Sequence, residues 1–154
     1  MAKQAKPVWN SRKTVLENAE SALPALTKRY LRAGKKLKGQ PSDKALHKFR
    51  LQTKNFRYTL ELFRTCLGSN LDARLEALKR IQQRLGDIND CVTTRKLLFD
   101  SKKKPRTQEE RQLWKFLDSR IQEKTTSFMR QLKRSLQAAP RQKWWSEYDR
   151  DNRS

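Results

Sequence analysis

A row of basic side chains lies in the stretch LHKFRLQTKNFRYTLELFRTCL, residues 46–67. They recur at steps of 3, 4 and 3 residues, at His47, Arg50, Lys54 and Arg57. At about 100° per residue of an α-helix, these four side chains lie within about 80° of one another. Arginine can donate two hydrogen bonds to phosphate oxygens, and lysine acts as a mobile point charge. The spacing therefore suits a ligand that carries many negative charges.

Two apolar stripes run along the same predicted helix. The larger consists of Phe49, Phe56, Leu60, Phe63 and Leu67, and the smaller of Leu51, Tyr58 and Leu62. A helix with two apolar faces is expected to be buried on two sides, so the basic row must lie in a seam between helices or at the mouth of a cleft. Cations in a seam lose hydration and repel one another, so an anion should compensate them. The alternative is an ordinary solvated basic face, on which Glu61 pairs with Arg57 or Arg64.

The composition of the chain narrows the class of ligand. Its 154 residues contain 37 Lys and Arg against 16 Asp and Glu, a formal net charge of +21. Such an excess favours polyanionic partners: nucleic acid, an anionic membrane surface or a phosphate polymer. No apolar stretch approaches the length of a membrane span, and the N-terminal residues lack the apolar run of a secretory signal. We therefore expect a cytoplasmic protein without membrane contact.

The sequence contains few residues that could bind a metal ion or a cofactor. Cys66 and Cys91 are far apart, no Cys-x-x-Cys pair occurs, and His47 is the only histidine. A zinc site of the usual ligand count is therefore not expected, and we expect both thiols to be reduced. The sequence indicates no cofactor.

The helical periodicities predict an all-α protein, an up-and-down four-helix bundle with a short C-terminal helix. We expect a flexible basic tail at residues 1–9 and one domain at 10–150. The first helix should begin after a cap at Asn10 or Ser11 and reach about residue 34, with a kink or break at Pro24. The basic row lies on the second helix.

The third and fourth helices are predicted at about residues 71–99 and 107–139. Apolar residues occupy every seventh position of the third helix, from Leu71 to Phe99, which is typical of the inner seam of a bundle. After the fourth helix, a short helix should place its aromatic side chains as a lid on the bundle end or as a subunit contact. These aromatic residues are Trp144, Trp145 and Tyr148.

The neighbouring helices carry cations that could extend the basic row into a groove. They are Lys28, Arg32 and Lys35 on the first helix and Arg120 and Lys124 on the fourth. These five residues are assigned to the groove only because of their positive charge and the side of the predicted helix on which each lies.

Residues 46–92 resemble the CHAD domain, an all-helical domain named after its histidine. The resembling pattern is His-x-x-Arg-(x)3-Lys-x-x-Arg-Tyr, followed on the next helix by Leu-Gly-(x)2-Asn-Asp. In this chain the matching residues are His47, Arg50, Lys54, Arg57, Tyr58, Leu85, Gly86, Asn89 and Asp90. Many residues match the CHAD pattern in these two helices, and few match it in the flanking helices.

The resemblance implies a helical bundle whose basic central cavity binds inorganic polyphosphate and performs no catalysis. It also implies a possible association with polyphosphate granules. His47 and the hydroxyl of Tyr58 would then add hydrogen-bond donors to the basic row. CHAD proteins usually hold two four-helix units, each with its own His-x-x-Arg helix, whereas this chain has one. We therefore expect a homodimer to restore the paired arrangement.

Other function classes stay open on the sequence. The charge permits a nucleic-acid-binding helical protein, although no zinc finger, RNP-type motif or recognition helix is recognisable. An accessory module of polyphosphate or triphosphate metabolism is also compatible. A hydrolase would need carboxylates that hold a metal beside the phosphates, and Asp87 and Asp90 are the only close pair in a suitable position. We therefore expect no enzymatic activity.

Overall fold

The computed structural model describes residues 9–68, 71–99 and 105–138. Within these ranges the chain forms four α-helices and no strand, which confirms the all-α prediction. The helices are α1 (Val15–Lys36), α2 (Asp43–Leu67), α3 (Asp72–Leu98) and α4 (Gln108–Ala138). Residues 1–8 of the predicted tail and the predicted C-terminal helix with Trp144, Trp145 and Tyr148 lie outside the described residues.

The start of α1 differs from the sequence prediction. Thr14, rather than Asn10 or Ser11, caps the helix, and it forms a capping box with Glu17. The backbone N–H of Thr14 donates to the Glu17 carboxylate at 2.7 Å, and the Glu17 N–H donates to the Thr14 hydroxyl at 3.2 Å. Because the backbone and then the hydroxyl of Thr14 donate to this carboxylate, the pKa of Glu17 is lowered.

Pro24 does not break α1, so the break that the sequence offered as one of two outcomes is wrong. The helix continues from Val15 to Lys36 with the proline inside it. Pro24 is exposed, so its ring lies on the outer side of the helix, away from the core. The apolar side of α1 remains continuous and packs along α2.

The helices pack as neighbours in chain order. α2 lies between α1 and α3, and α4 packs along α3 and also touches α1. Leu78, Leu85 and Val92 of α3 are buried, as the seven-residue period predicted. Phe49 lies at the centre of the core, where its ring stacks on Tyr30 at a centroid distance of 5.3 Å.

Polar and apolar contacts at its two ends fix the course of α4. Near its start, Asp118 pairs with Arg95 of α3 at 2.5 Å, and the same guanidinium pairs with Asp43 at 3.0 Å. Towards its end, Leu136 lies against Gly34, near the C-terminus of α1. α4 therefore runs along α3 before it reaches α1, and this course decides which helix its cations face.

The smaller apolar stripe of α2 is exposed. Leu51, Tyr58 and Leu62 are 45%, 48% and 66% exposed, so the expectation that α2 is buried on two apolar sides is wrong. The flanks of α2 already contact α1 and α3, and no other described helix covers its outer face. The basic row consequently lies at the edge of the packed surface, beside this exposed stripe.

None of the helices in the described ranges is both long and apolar enough to span a bilayer.

Candidate anion-binding site

The basic row of α2 faces α3 along one seam. At one end, His47 Nδ1 lies 3.2 Å from the side-chain oxygen of Asn89. At the other end, Arg57 Nε donates to the side-chain oxygen of Gln82 at 2.9 Å. These two contacts show that α2 and α3 run antiparallel, and they place Arg50 and Lys54 between them. The structure therefore brings all four members of the predicted basic row into the α2–α3 seam.

Arg50 is the least compensated member of the row. Its side chain is half-buried, and its Nε is buried without a hydrogen-bond acceptor among the described residues. No carboxylate in the described part of the chain pairs with its guanidinium. A buried donor without a partner has lost its hydrogen bonds to water and has gained none in the protein. This costs free energy, and the cost is higher for a charged group. An anion bound in the seam would supply the missing acceptor.

Arg57 is partly neutralised, as the solvated-face alternative predicted. Its guanidinium pairs with Glu61 one turn along α2 at 2.5 Å. It also lies over the ring of Tyr58, 4.7 Å from the centroid, and Lys54 Nζ lies 5.8 Å from the same centroid. Tyr58 thus holds two cations of the row near its ring face. The positive charge of the seam is reduced at Arg57 but not at Arg50 or Lys54.

Gly86 lies one turn after Gln82 on α3, about 40° around the helix axis from this partner of Arg57. A Cβ at this position would meet no heavy atom within 4 Å. Glycine in a helix interior costs about 1 kcal/mol relative to alanine, and close approach of a neighbouring helix and close approach of a ligand are two explanations for accepting that cost. The first explanation is wrong for the described residues, because no neighbouring helix comes near. The second explanation, a bound ligand, stays a prediction, and Gly86 leaves open space on α3.

The predicted cations of α1 do not reach this seam. The side of α2 that faces α1 is lined by Gln52, Asn55 and Thr59, so α1 lies across α2 from the basic row. Lys35 lines a groove of about 660 Å³ between α1 and α4. Lys28 and Arg32 are exposed on α1. Their role in binding stays a prediction, but they are not part of the same groove.

The predicted cations of α4 are also separate from the basic row. Lys124 lines a groove of about 440 Å³ between α3 and α4. Arg120 is exposed and pairs loosely with Glu123 at 3.5 Å. The extended groove expected from helical facing is therefore divided, because Lys35 and Lys124 line two separate grooves and neither groove includes the basic row.

Sequence reasoning missed two cations that share the groove of Lys124. Arg80 and Arg84 lie one turn apart on α3 and line it from that side. Asp87 lies three residues after Arg84 and seven after Arg80, but it forms no ion pair with either within the described residues. Their four-residue spacing on the flank of the apolar seam was the available signal.

A sequence model of the CHAD domain matches residues 2–99 of the chain. The chain belongs to the CHAD domain family. The matched range contains α1, α2 and α3, and hence the whole basic row and Gly86, whereas α4 lies beyond it. The CHAD family is associated with polyphosphate and triphosphate metabolism. No curated protein and no solved structure matches this CHAD chain.

Proposed function

We propose that this CHAD domain binds inorganic polyphosphate in the α2–α3 seam and does not alter it chemically. The observation that carries the proposal is the half-buried Arg50, whose buried Nε has no acceptor among the described residues. A phosphate oxygen would satisfy this donor, and a charge-assisted hydrogen bond of this kind is among the stronger ones in proteins.

The spacing of the basic row suits a linear polymer of phosphates. From His47 to Arg57 the row extends about 15 Å along the helix at a rise of about 1.5 Å per residue. Successive phosphates of a flexible chain can contact successive cations over this length. The row offers no pattern for reading base edges, which sequence-specific nucleic-acid binding requires.

The carboxylates singled out in the sequence do not converge on the basic row. Asp87 lines the groove between α3 and α4, about 140° around the α3 axis from Gln82 at about 100° per residue. Asp90 is exposed. Phosphoryl transfer depends on groups that converge on the phosphate, so this placement supports binding without hydrolysis. A binding module acting in the cytoplasm beside polyphosphate-processing enzymes is the corresponding cellular role.

A competition titration tests the proposal against nucleic-acid binding. The protein is titrated with polyphosphate of defined length and with RNA of equal charge, by calorimetry at one fixed salt concentration. We expect polyphosphate to displace bound RNA at a far lower phosphate concentration than RNA needs to displace polyphosphate. Equal displacement in both directions would instead indicate charge-driven, non-selective binding. In parallel samples with Mg²⁺, release of orthophosphate would overturn the non-catalytic part of the proposal.

A homodimer is also part of the proposed assembly. The exposed apolar stripe of Leu51, Tyr58 and Leu62 lies beside the basic row and offers a surface that a second copy could cover. Sedimentation of the protein over a concentration series is expected to show a dimer, and Leu62→Asp should shift it towards monomer. A monomer at every concentration would contradict this part of the proposal.

A further inference from the structure

A second uncompensated basic site lies in the groove between α3 and α4. The residues that line it are Arg80, Gln83, Arg84, Asp87, Lys124 and Ser127. Three cations face a single carboxylate, and Gln83 and Ser127 add neutral donors. No ion pair neutralises any of the three cations within the described ranges. Such a set of groups suits phosphate oxygens.

The groove and the basic row lie at the same level of α3, on different sides of it. The row contacts Gln82 and Asn89, and the groove begins at Arg80 and ends at Asp87. At about 100° per residue, Gln82 and Arg80 are about 160° apart around the helix axis. For a helix about 10–12 Å across, this arc measures about 15 Å. A flexible polymer can cover that arc, whereas tripolyphosphate is too short to occupy both of its ends.

Gly86 lies on the arc between the two sites. Around the α3 axis its position falls between those of Gln82 and Gln83, about 40° from the first and about 60° from the second. Because a Cβ there would meet nothing within 4 Å, the outer surface of α3 is low and open at this turn. A chain leaving Arg50 could cross α3 here without displacing a side chain.

We propose that a long polyphosphate chain occupies both sites at once. It lies in the basic row, crosses the outer surface of α3 at Gly86 and continues into the groove of Arg80, Arg84 and Lys124. This inference rests on the proposed function. Two linked contacts raise the affinity for a ligand that spans them, because the second contact forms within the complex. Affinity therefore rises steeply between tripolyphosphate and chains long enough to cross α3.

The test compares tripolyphosphate with a long polyphosphate in calorimetric titrations of a groove variant. In Arg80→Ala/Arg84→Ala/Lys124→Ala, affinity for the long chain should fall at least about tenfold, while affinity for tripolyphosphate changes by less than about twofold. Circular dichroism checks that the helices are intact. The single change Lys124→Glu tests the groove from α4 alone and should act in the same direction.

A matched control removes three charges elsewhere on the chain. Arg106, Arg111 and Lys115 are exposed near the start of α4, away from both sites, and their replacement by alanine should weaken the long chain much less. The inference is overturned if groove and control variants lose the same affinity, or if the groove variant loses both ligands by the same factor. If the unmodified protein binds neither ligand, the proposed function itself fails. If basic-row variants lose both ligands while the groove variant matches the control, only the two-site inference fails.

Discussion

Reversing the charge of Arg50 and Arg57 together is expected to weaken polyphosphate binding at least about a hundredfold. Each arginine would lose a charge-assisted hydrogen bond worth about 1.5–3 kcal/mol and would place a repelling carboxylate in the seam. Arg50 should account for the larger share, because Arg57 already pairs with Glu61. Calorimetric titration of the variant Arg50→Glu/Arg57→Glu measures the loss.

The helices should survive this double change. Arg50 has no ion pair to lose within the described residues. The change at Arg57 replaces its ion pair with a like-charge pair to Glu61 one turn away, and such a pair on a helix surface costs only about 0.5 kcal/mol. The far-ultraviolet circular dichroism of the variant is therefore expected to match that of the unmodified protein. Unchanged polyphosphate affinity in a folded variant would remove the α2–α3 seam from the site.

A matched control makes the same charge change on the same helix. Lys44 and Lys48 are exposed on α2 and lie off the basic row. Lys44→Glu/Lys48→Glu alters the net charge by the same amount as the basic-row variant. This control variant should weaken polyphosphate binding far less if the α2–α3 seam binds the polymer through specific contacts. An equal loss would mean that the overall charge of +21 attracts the polymer diffusely.

Truncation of Phe49 is expected to have the largest effect on stability. The side chain is 2% exposed, stacks on Tyr30 of α1 and lies 6.4 Å from the ring of Phe128 of α4. Phe49→Ala should lower the free energy of unfolding by about 3–5 kcal/mol, because it removes these contacts and leaves a cavity where three helices meet. Urea unfolding followed by circular dichroism measures the change.

Leu51→Ala is the control for Phe49→Ala. Leu51 lies two residues further along α2 and is 45% exposed, so its truncation should change the stability by less than about 1 kcal/mol. Comparable losses in the two variants would contradict the position of Phe49 at the centre of the core. Both variants are measured at a protein concentration at which the chain is monomeric, so that the proposed dimer contact of the outer stripe does not add to the loss at Leu51.

The basic row and the seam of α3 were predictable because both follow from helical periodicity. Steps of three and four residues place His47 and Arg50 on one face in any α-helix, and steps of seven place Leu78 and Leu85 on one line. The CHAD pattern on two consecutive helices is also defined by residue spacing, so it can be recognised in the sequence. It identified the CHAD family before any contact was known.

The burial of the second stripe could not be predicted in the same way. Periodicity shows that Leu51, Tyr58 and Leu62 share a face, but burial depends on how many helices surround α2. Here α1 and α3 occupy its flanks, and no further described helix covers its outer side. The persistence of α1 through Pro24 likewise depended on where the proline faces, which is outward.

The amino-acid sequence alone established an all-α chain, its family and a periodic row of cations, since these depend on residue order and helix geometry. Tertiary packing decided which cations share a site. Arg84 and Lys124 are distant in the sequence and meet only because α4 runs along α3 before reaching α1. Packing also left Arg50 half-buried without an acceptor among the described residues, because the hydration that a cation loses depends on the groups placed around it.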